Sequence, residues 1–387
     1  MPIVNRIAEL ADEVAIWRQD IHQNPELMFD VHRTAGIVTE KLKEFGCDEV
    51  VTGIGRTGVV GVIKGRKGEG PTIGLRADMD ALPIPEATNV AYKSRNPGLM
   101  HACGHDGHTA MLLGAARYLT ETRNFAGTAV VIFQPAEEGG GGGREMVQDG
   151  LMDRFRVEQV YGMHNAPGLP VGAFAIRPGP ALASADRFEA TITGRGGHAA
   201  KPHDCIDPIV AGAQIVNALQ TIASREVAPL DSIVVSVTQF HAGTANNIIP
   251  EAAHLTGTIR ALKNETRAYA KTRFHEIVEH VAALNRCKVS IDFEDGYPVT
   301  VNHLAETEFA TQVARDIVGA DKVLYGIPPE MGAEDFSYML EARPGAFIFI
   351  GNGSTAGLHH PEYDFNDKAI PVGVSYWARL VETALPG

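Results

Sequence analysis

Several things are scarce in this chain, and each scarcity removes a class of function. Cysteine occurs four times in 387 residues, at Cys47, Cys103, Cys205 and Cys287. The spacing is wide and forms no disulfide framework. No run of about 20 apolar residues exists, so no membrane-spanning helix is expected. The opening MPIVNRIAELADEVAIW places acidic residues where a secretory signal needs an apolar core. The location to expect is therefore a reducing cytoplasm, where a cysteine beside histidines reads as a metal ligand or a nucleophile. Basic residues are outnumbered 34 to 47, for a formal net charge of −13, and no basic stripe interrupts the surplus of acid. Such a chain repels a phosphate backbone, and nucleic acid is not an expected partner. The glycine run 139–143 lacks a following Gly-Lys-Ser/Thr, so it is no phosphate loop.

What is present is the grammar of an α/β protein in two domains, since 387 residues exceed one ordinary core. Val4, Ile7, Leu10, Val14, Trp17 and Ile21 recur at helical spacing. Apolar runs at 58–63, 72–77, 129–134 and 160–163 then alternate with helical stretches such as 107–122. This alternation predicts a mixed, largely parallel sheet whose ligands sit beyond the carboxyl ends of its strands. The polar residues Asp78, Asp80, Glu137, Glu138 and His164 follow such strands.

From about residue 186 the pattern changes to strand 187–194, helix 207–225, strands 232–240 and 253–262, helix 264–283 and strand 288–293. The helix 207–225 shows Ile209, Val210, Ala213, Val216 and Leu219 on one face. The order βαββαβ predicts an inserted ferredoxin-like α+β domain over 186–296. The catalytic domain is then discontinuous, 1–185 and 297–387, with 347–352 as its clearest late strand.

The densest chemistry is Met100-His101-Ala102-Cys103-Gly104-His105-Asp106-Gly107-His108. Thiolate and imidazole suit zinc and similar ions, and the glycines permit the tight turn that brings them together. Glu137 and Glu138 end an apolar strand; of two such carboxylates, one can bind metal while its neighbour serves as general base. His164 follows a strand, and His359 and His360 sit between Gly357-Leu358 and Pro361. Lone histidines such as His22, His254 and His303 read as structural. Cys103, His105, Glu138, His164 and His359 each lie in glycine-flanked or strand-end segments. Five ligands exceed one closed structural site and suit two ions. Asp80, in Ala77-Asp78-Met79-Asp80, is expected to orient a ligating histidine.

Together, RQDIHQNPEL at 18–27, LRADMDALP at 75–83, MHACGHDGHTA at 100–110, QPAEEGGGG at 134–142, GMHN at 162–165, GRGGHAAKPH at 194–203, NNIIP at 246–250, GTIR at 257–260, GAEDFSY at 332–338 and LHHPEYDFND at 358–367 resemble the amidohydrolase branch of the dinuclear metallopeptidases. This is the branch of bacterial aminoacylases, hippurate hydrolase and plant auxin-conjugate hydrolases.

The resemblance implies two divalent ions (zinc, manganese, cobalt or nickel) on Cys103, His105, Glu138, His164 and His359. It makes Glu137 the general base and later the acid. It favours His359 over His360, and places Asp78 where peptidase relatives carry a ligating histidine. It implies a lid domain that also makes a homodimer or a higher homo-oligomer. From the lid, His198 polarises the scissile carbonyl, and Asn247 and Arg260 contact substrate. Cys205 departs from a frequent glycine. The implied activity is hydrolysis of the amide bond of a small N-acyl amino acid or a similar small amide. The rivals are a carboxypeptidase or dipeptidase on the same scaffold and a non-catalytic small-molecule binder.

Overall fold

The structure, a computed structural model, describes residues 5–387; Val4 lies outside them. Contacts divide the chain into two compact units. One comprises Met1–Ala181, Val301–Pro328 and Asp335–Gly387, the other Leu182–Thr300 and Pro329–Glu334. Among the described residues no helix is long and apolar enough to cross a membrane.

The first unit is built on a mixed sheet of eight strands: β1 (Glu49–Ile54), β2 (Gly58–Lys64), β3 (Thr72–Asp78), β4 (Thr128–Gln134), β5 (Gln159–Pro167), β6 (Phe174–Ile176), β7 (Val323–Tyr325) and β8 (Gly345–Gly353). Their spatial order is β1-β2-β4-β3-β5-β8-β6-β7. The four central strands, β4, β3, β5 and β8, run parallel. Strands β1, β2 and β6 add antiparallel pairings toward the edges. Every residue of β3 is buried. A strand covered on both faces reads as a continuous apolar run, as parallel strands do.

Three helices pack beside the sheet: α1 (Asn5–Gln23), α2 (His105–Thr122) and α3 (Ile370–Ala384). Ile7, Leu10, Val14, Trp17 and Ile21 of α1 are buried at the predicted spacing. Gly114 of α2 lets the other two helices close in. A Cβ there would stand 3.0 Å from methyls of both Val14 and Val374. The register pairs Asp78, the last residue of β3, with Gln134, the last of β4. The loops that follow therefore leave the same end of the sheet side by side. His164 lies within β5 rather than after it, because β5 continues its pairing with β8 as far as Pro167.

The second unit has a four-stranded antiparallel sheet, in the order 233–242, 252–261, 185–193, 288–297. Helices Pro208–Thr221 and Asn264–Leu284 join its strands, giving the ferredoxin-like βαββαβ order. Phe188, Ala190 and Ile192 point into its core while Arg187 and Glu189 point out. The first helix differs from the sequence expectation. Its buried stripe is Pro208, Ala211, Gly212, Ile215 and Leu219. Ile209 and Val210 are 40% and 48% exposed. This helix is apolar on most sides, so periodicity alone does not select its inner face. The core selects the face carrying Ala211, Ile215 and Leu219, which join Phe188, Ala190, Ile192 and Leu255 in one buried cluster.

Candidate metal centre

At the carboxyl end of β3, Asp80 is fully enclosed and its two oxygens accept the backbone N–H groups of Glu137 and Glu138, each at 3.0 Å. Two successive amides on one carboxylate fix the direction in which both glutamate side chains leave the chain. The ring of His105 donates from Nδ1 to the main-chain carbonyl of Asp80 at 2.8 Å. The Asp80 carboxylate itself lies 3.4 Å from that nitrogen. The backbone carbonyl and the carboxylate of Asp80 thus both face the His105 ring nitrogen, and the carboxylate also engages the glutamate loop.

Cys103 and His105 flank Gly104, whose φ of 93° is open to glycine and strained for other residues. This turn starts α2 at His105 and aims the thiol and the imidazole into one space. Cys103 Sγ is 3.3 Å from His164 Nε2. His164 donates from Nδ1 to the carbonyl of Asn165 at 2.7 Å, which leaves the Nε2 lone pair facing the sulfur. His359 also sits at a left-handed φ, 63°. Its N–H donates to Ala102 at 2.8 Å, and its Nε2 lies 3.2 Å from Glu138. Two donor groups result, Cys103–His105–His164 and Cys103–Glu138–His359, with ligand atoms within 4.8 Å of one another in each. They share the sulfur. A third group, His105–Glu137–Glu138, adds the other glutamate. His360 is exposed, and its Nδ1 accepts the Glu362 N–H at 3.1 Å.

The electrostatics call for positive charge. Burial pushes the Cys103 thiol well above its ordinary pKa, and the carboxylates of Glu138, Glu137 and Asp78 push it the same way. Burial also opposes a charged His105, yet Asp78, Asp80 and Glu138 outweigh it and raise the ring to about 10. Burial and the neighbouring His108 hold His164 well below its usual range. Glu138 resists burial because His359 and His105 hold it below the usual carboxylate range. The His105 Nε2 atom is buried with no hydrogen-bond partner. A buried sulfur, an orphaned imidazole nitrogen and converging carboxylates make a donor set that fits a pair of divalent cations, which would bring the thiol to thiolate.

Several residues around this centre carried no assigned role in the sequence. Arg76 of β3 donates to Asp78 at 2.7 Å and to Asp335 at 3.0 Å, all three side chains fully buried. His108, one turn past His105, is committed elsewhere. Its Nδ1 meets Asp78 at 2.7 Å, and its Nε2 accepts the Asn165 N–H at 2.9 Å. Asn165 donates to the carbonyl of Cys103 at 2.6 Å and accepts from the Tyr363 hydroxyl at 2.7 Å, bracing the thiol's backbone. Behind the Cys103–His105 turn, Asp106 takes His22 at 2.8 Å and Arg18 at 3.4 Å. The only local signals for these partners were GAEDFSY, the Asp inside HACGHDGH, and RQDIH, which carry no spacing that names a contact.

The three expected lid residues belong to the second unit. His198 is exposed in a short strand paired with Ile248–Ile249. Its Nδ1 accepts the Ala200 N–H at 3.1 Å, so its Nε2 carries the proton. The carbonyl of Asn247 accepts the Ala199 N–H at 3.0 Å, so the two segments adjoin. Arg260 donates to Thr258 at 3.1 Å and, with Arg187, lines a groove of about 380 Å³ on the outer face of the sheet.

Known proteins resemble the chain over most of its length. The chain is 43% identical over 380 residues to a hippurate hydrolase of Campylobacter jejuni, covering 98% of each. It is 41% identical over 352 residues to thermostable carboxypeptidase 2 of Saccharolobus solfataricus, covering 90% of this chain and 88% of that one. A solved Bacillus subtilis protein described as a dinuclear metal binding peptidase superposes with a TM-score of 0.85 at 34% identity, covering 98% and 99%. The model of peptidase family M20/M25/M40 matches residues 74–383, a span that holds all five candidate donor residues and the second unit, and the chain belongs to that family of hydrolases.

Proposed function

We propose that this protein hydrolyses the amide bond of small N-acyl amino acids, releasing a carboxylic acid and an amino acid. The observation that carries this reading is the shared sulfur of the two donor groups, with the Glu137 carboxylate oxygen within 4.8 Å of the donor atoms of His105 and Glu138. A binder needs ligands for its ions; a carboxylate held beside them by its own backbone clamp serves proton transfer. The similarity to a hippurate hydrolase across the whole chain supports the substrate class.

Cys103, His105, Glu138, His164 and His359 would hold the two ions, and zinc, manganese, cobalt and nickel all suit this mixture of sulfur, nitrogen and oxygen. When bound, such a pair polarises the amide carbonyl and lowers the pKa of water toward about 7. Glu137 takes the proton of the attacking water on a carboxylate oxygen, and later gives it to the leaving nitrogen. Asp80 keeps Glu137 and Glu138 aimed throughout. His198, protonated at Nε2, donates to the developing oxyanion. Arg260 pairs with the carboxylate of the amino acid, for which a guanidinium fork is shaped, and Asn247 hydrogen-bonds the substrate beside it. The second unit acts as the lid and as the homodimer contact.

A second reading, a carboxypeptidase, is favoured by the 41% identity to thermostable carboxypeptidase 2. One experiment addresses both. Metal-stripped protein is reloaded with each divalent ion in turn and offered N-benzoylglycine, N-acetyl amino acids and dipeptides while free amine is followed. Turnover of the acyl amino acids, abolished by chelation and lowered about 10²- to 10⁴-fold in Glu137→Gln with metals retained, is the expected result. Turnover of dipeptides alone, or a fully active Glu137→Gln, overturns it.

A further inference from the structure

We propose that Asp335 is a positioning residue for the Glu137 base, gripping both ends of the turn that carries Glu137 and Glu138. The inference rests on the reading of Glu137 as the base. That turn runs from Gln134, the end of β4, to Gly143. At its first end, Gln134 Nε2 donates to both oxygens of Asp335, at 2.7 and 2.8 Å. At its second end, the Gly143 N–H donates to Asp335 Oδ2 at 2.8 Å. Between them Ala136 holds a left-handed φ of 53°, a conformation that a side chain disfavours and that persists when its surroundings enforce it. Two carboxylates thus clamp one turn, Asp80 at its middle and Asp335 at its ends.

Nothing in packing asks for an acid at this position. Asp335 is wholly buried, and burial pushes its pKa up to about 6 against the pull of Arg76. An ionised side chain in such a place is costly unless its lone pairs are taken. Here they are taken by Arg76, Gln134 and Gly143. Asp335 also offers a carboxylate oxygen within 4.8 Å of one on Glu137, so the clamp ends beside the group it positions. The fit at the far end is close: a Cβ on Gly143 would stand 2.7 Å from the Asp335 carbonyl and 3.2 Å from its Oδ2.

The test compares Asp335→Ala, Asp335→Asn and Gly143→Ala with the parent and Glu137→Gln, all loaded with the same divalent ion and assayed on N-benzoylglycine. Asp335→Ala is expected to lower kcat about 10- to 100-fold, with KM within about twofold and two metals per chain retained. Asp335→Asn keeps one acceptor oxygen and is expected to recover part of that loss. Gly143→Ala, which pushes the clamp open from the other side, is expected to lower kcat in the same way. A kcat for Asp335→Ala within about twofold of the parent, or a loss matched by lost metal or a proportionate rise in KM, overturns the proposal. Should Asp335→Ala not fold, an unchanged kcat in Asp335→Asn overturns it. An active Glu137→Gln would remove the base reading and this inference together, whereas an inactive Glu137→Gln beside a fully active Asp335→Ala removes this inference alone.

Discussion

The Cys103 sulfur lies 3.3 Å from Nε2 of His164, across 61 residues of chain. In that enclosed position, burial and the nearby carboxylates keep the thiol protonated well above its ordinary pKa. Bound cations reverse this, so loading the site releases a proton. Metal affinity is expected to strengthen with rising pH in the parent. In Cys103→Ser it is expected to fall about tenfold or more and to lose much of that slope. Competition against a chelating indicator at several pH values measures both.

Asp80 is expected to matter more for turnover than for metal. Asp80→Asn leaves one acceptor oxygen for two amides, that of Glu137, buried, and that of Glu138, partly buried. An unsatisfied buried N–H costs about 1–3 kcal/mol. Chemical denaturation should show a loss of that order, and steady-state kinetics a fall in kcat of about 10- to 100-fold. Equal kcat in the two proteins would show that the amide clamp is not needed.

His22 gives a pH signature to stability. Burial opposes its charge, but Asp106 and then Glu86 outweigh it and raise the ring to about 9. A folded pKa above the unfolded one means stabilisation that is complete below the unfolded value of about 6.5 and fades as pH rises through 9. The stability gap between the parent and His22→Gln is therefore expected to shrink by about 3 kcal/mol between pH 6.5 and pH 9 and above. Denaturation of both proteins across that window checks it; a constant gap refutes the charged ring.

Gly104→Ala is expected to damage fold and site together. The left-handed φ of 93° there costs a side chain about 1–2 kcal/mol. The added Cβ also overlaps Asn165 Nδ2 and the Tyr363 hydroxyl, the pair that braces Cys103. A lower Tm and weaker metal retention should appear in the same variant.

The candidate donor segments were legible because their chemistry is local. HACGHDGH brings a thiol and an imidazole within one glycine turn, and QPAEEGG leaves two carboxylates at the end of an apolar strand. Strands β2, β3, β4 and β8 and helices α1 and α2 were legible for the same reason, since period and punctuation are properties of neighbours in the chain. The inner face of helix Pro208–Thr221 was not. An almost uniformly apolar helix has no preferred side until the core of Phe188, Ile192 and Leu255 takes up Ala211, Ile215 and Leu219.

By itself, then, the sequence determined which side chains could hold ions, which elements would carry them, and that a βαββαβ segment interrupts a largely parallel sheet. Packing of distant segments set which partners each group received. It gave His105 to the carbonyl of Asp80, the Asp80 carboxylate to the glutamate amides, and the guanidinium of Arg76 to Asp335, 259 residues away. The reason is physical. A buried charge must find its hydrogen-bond partners wherever the packed chain places them, and a contact between residues brought together by a sheet leaves no spacing in the sequence to read.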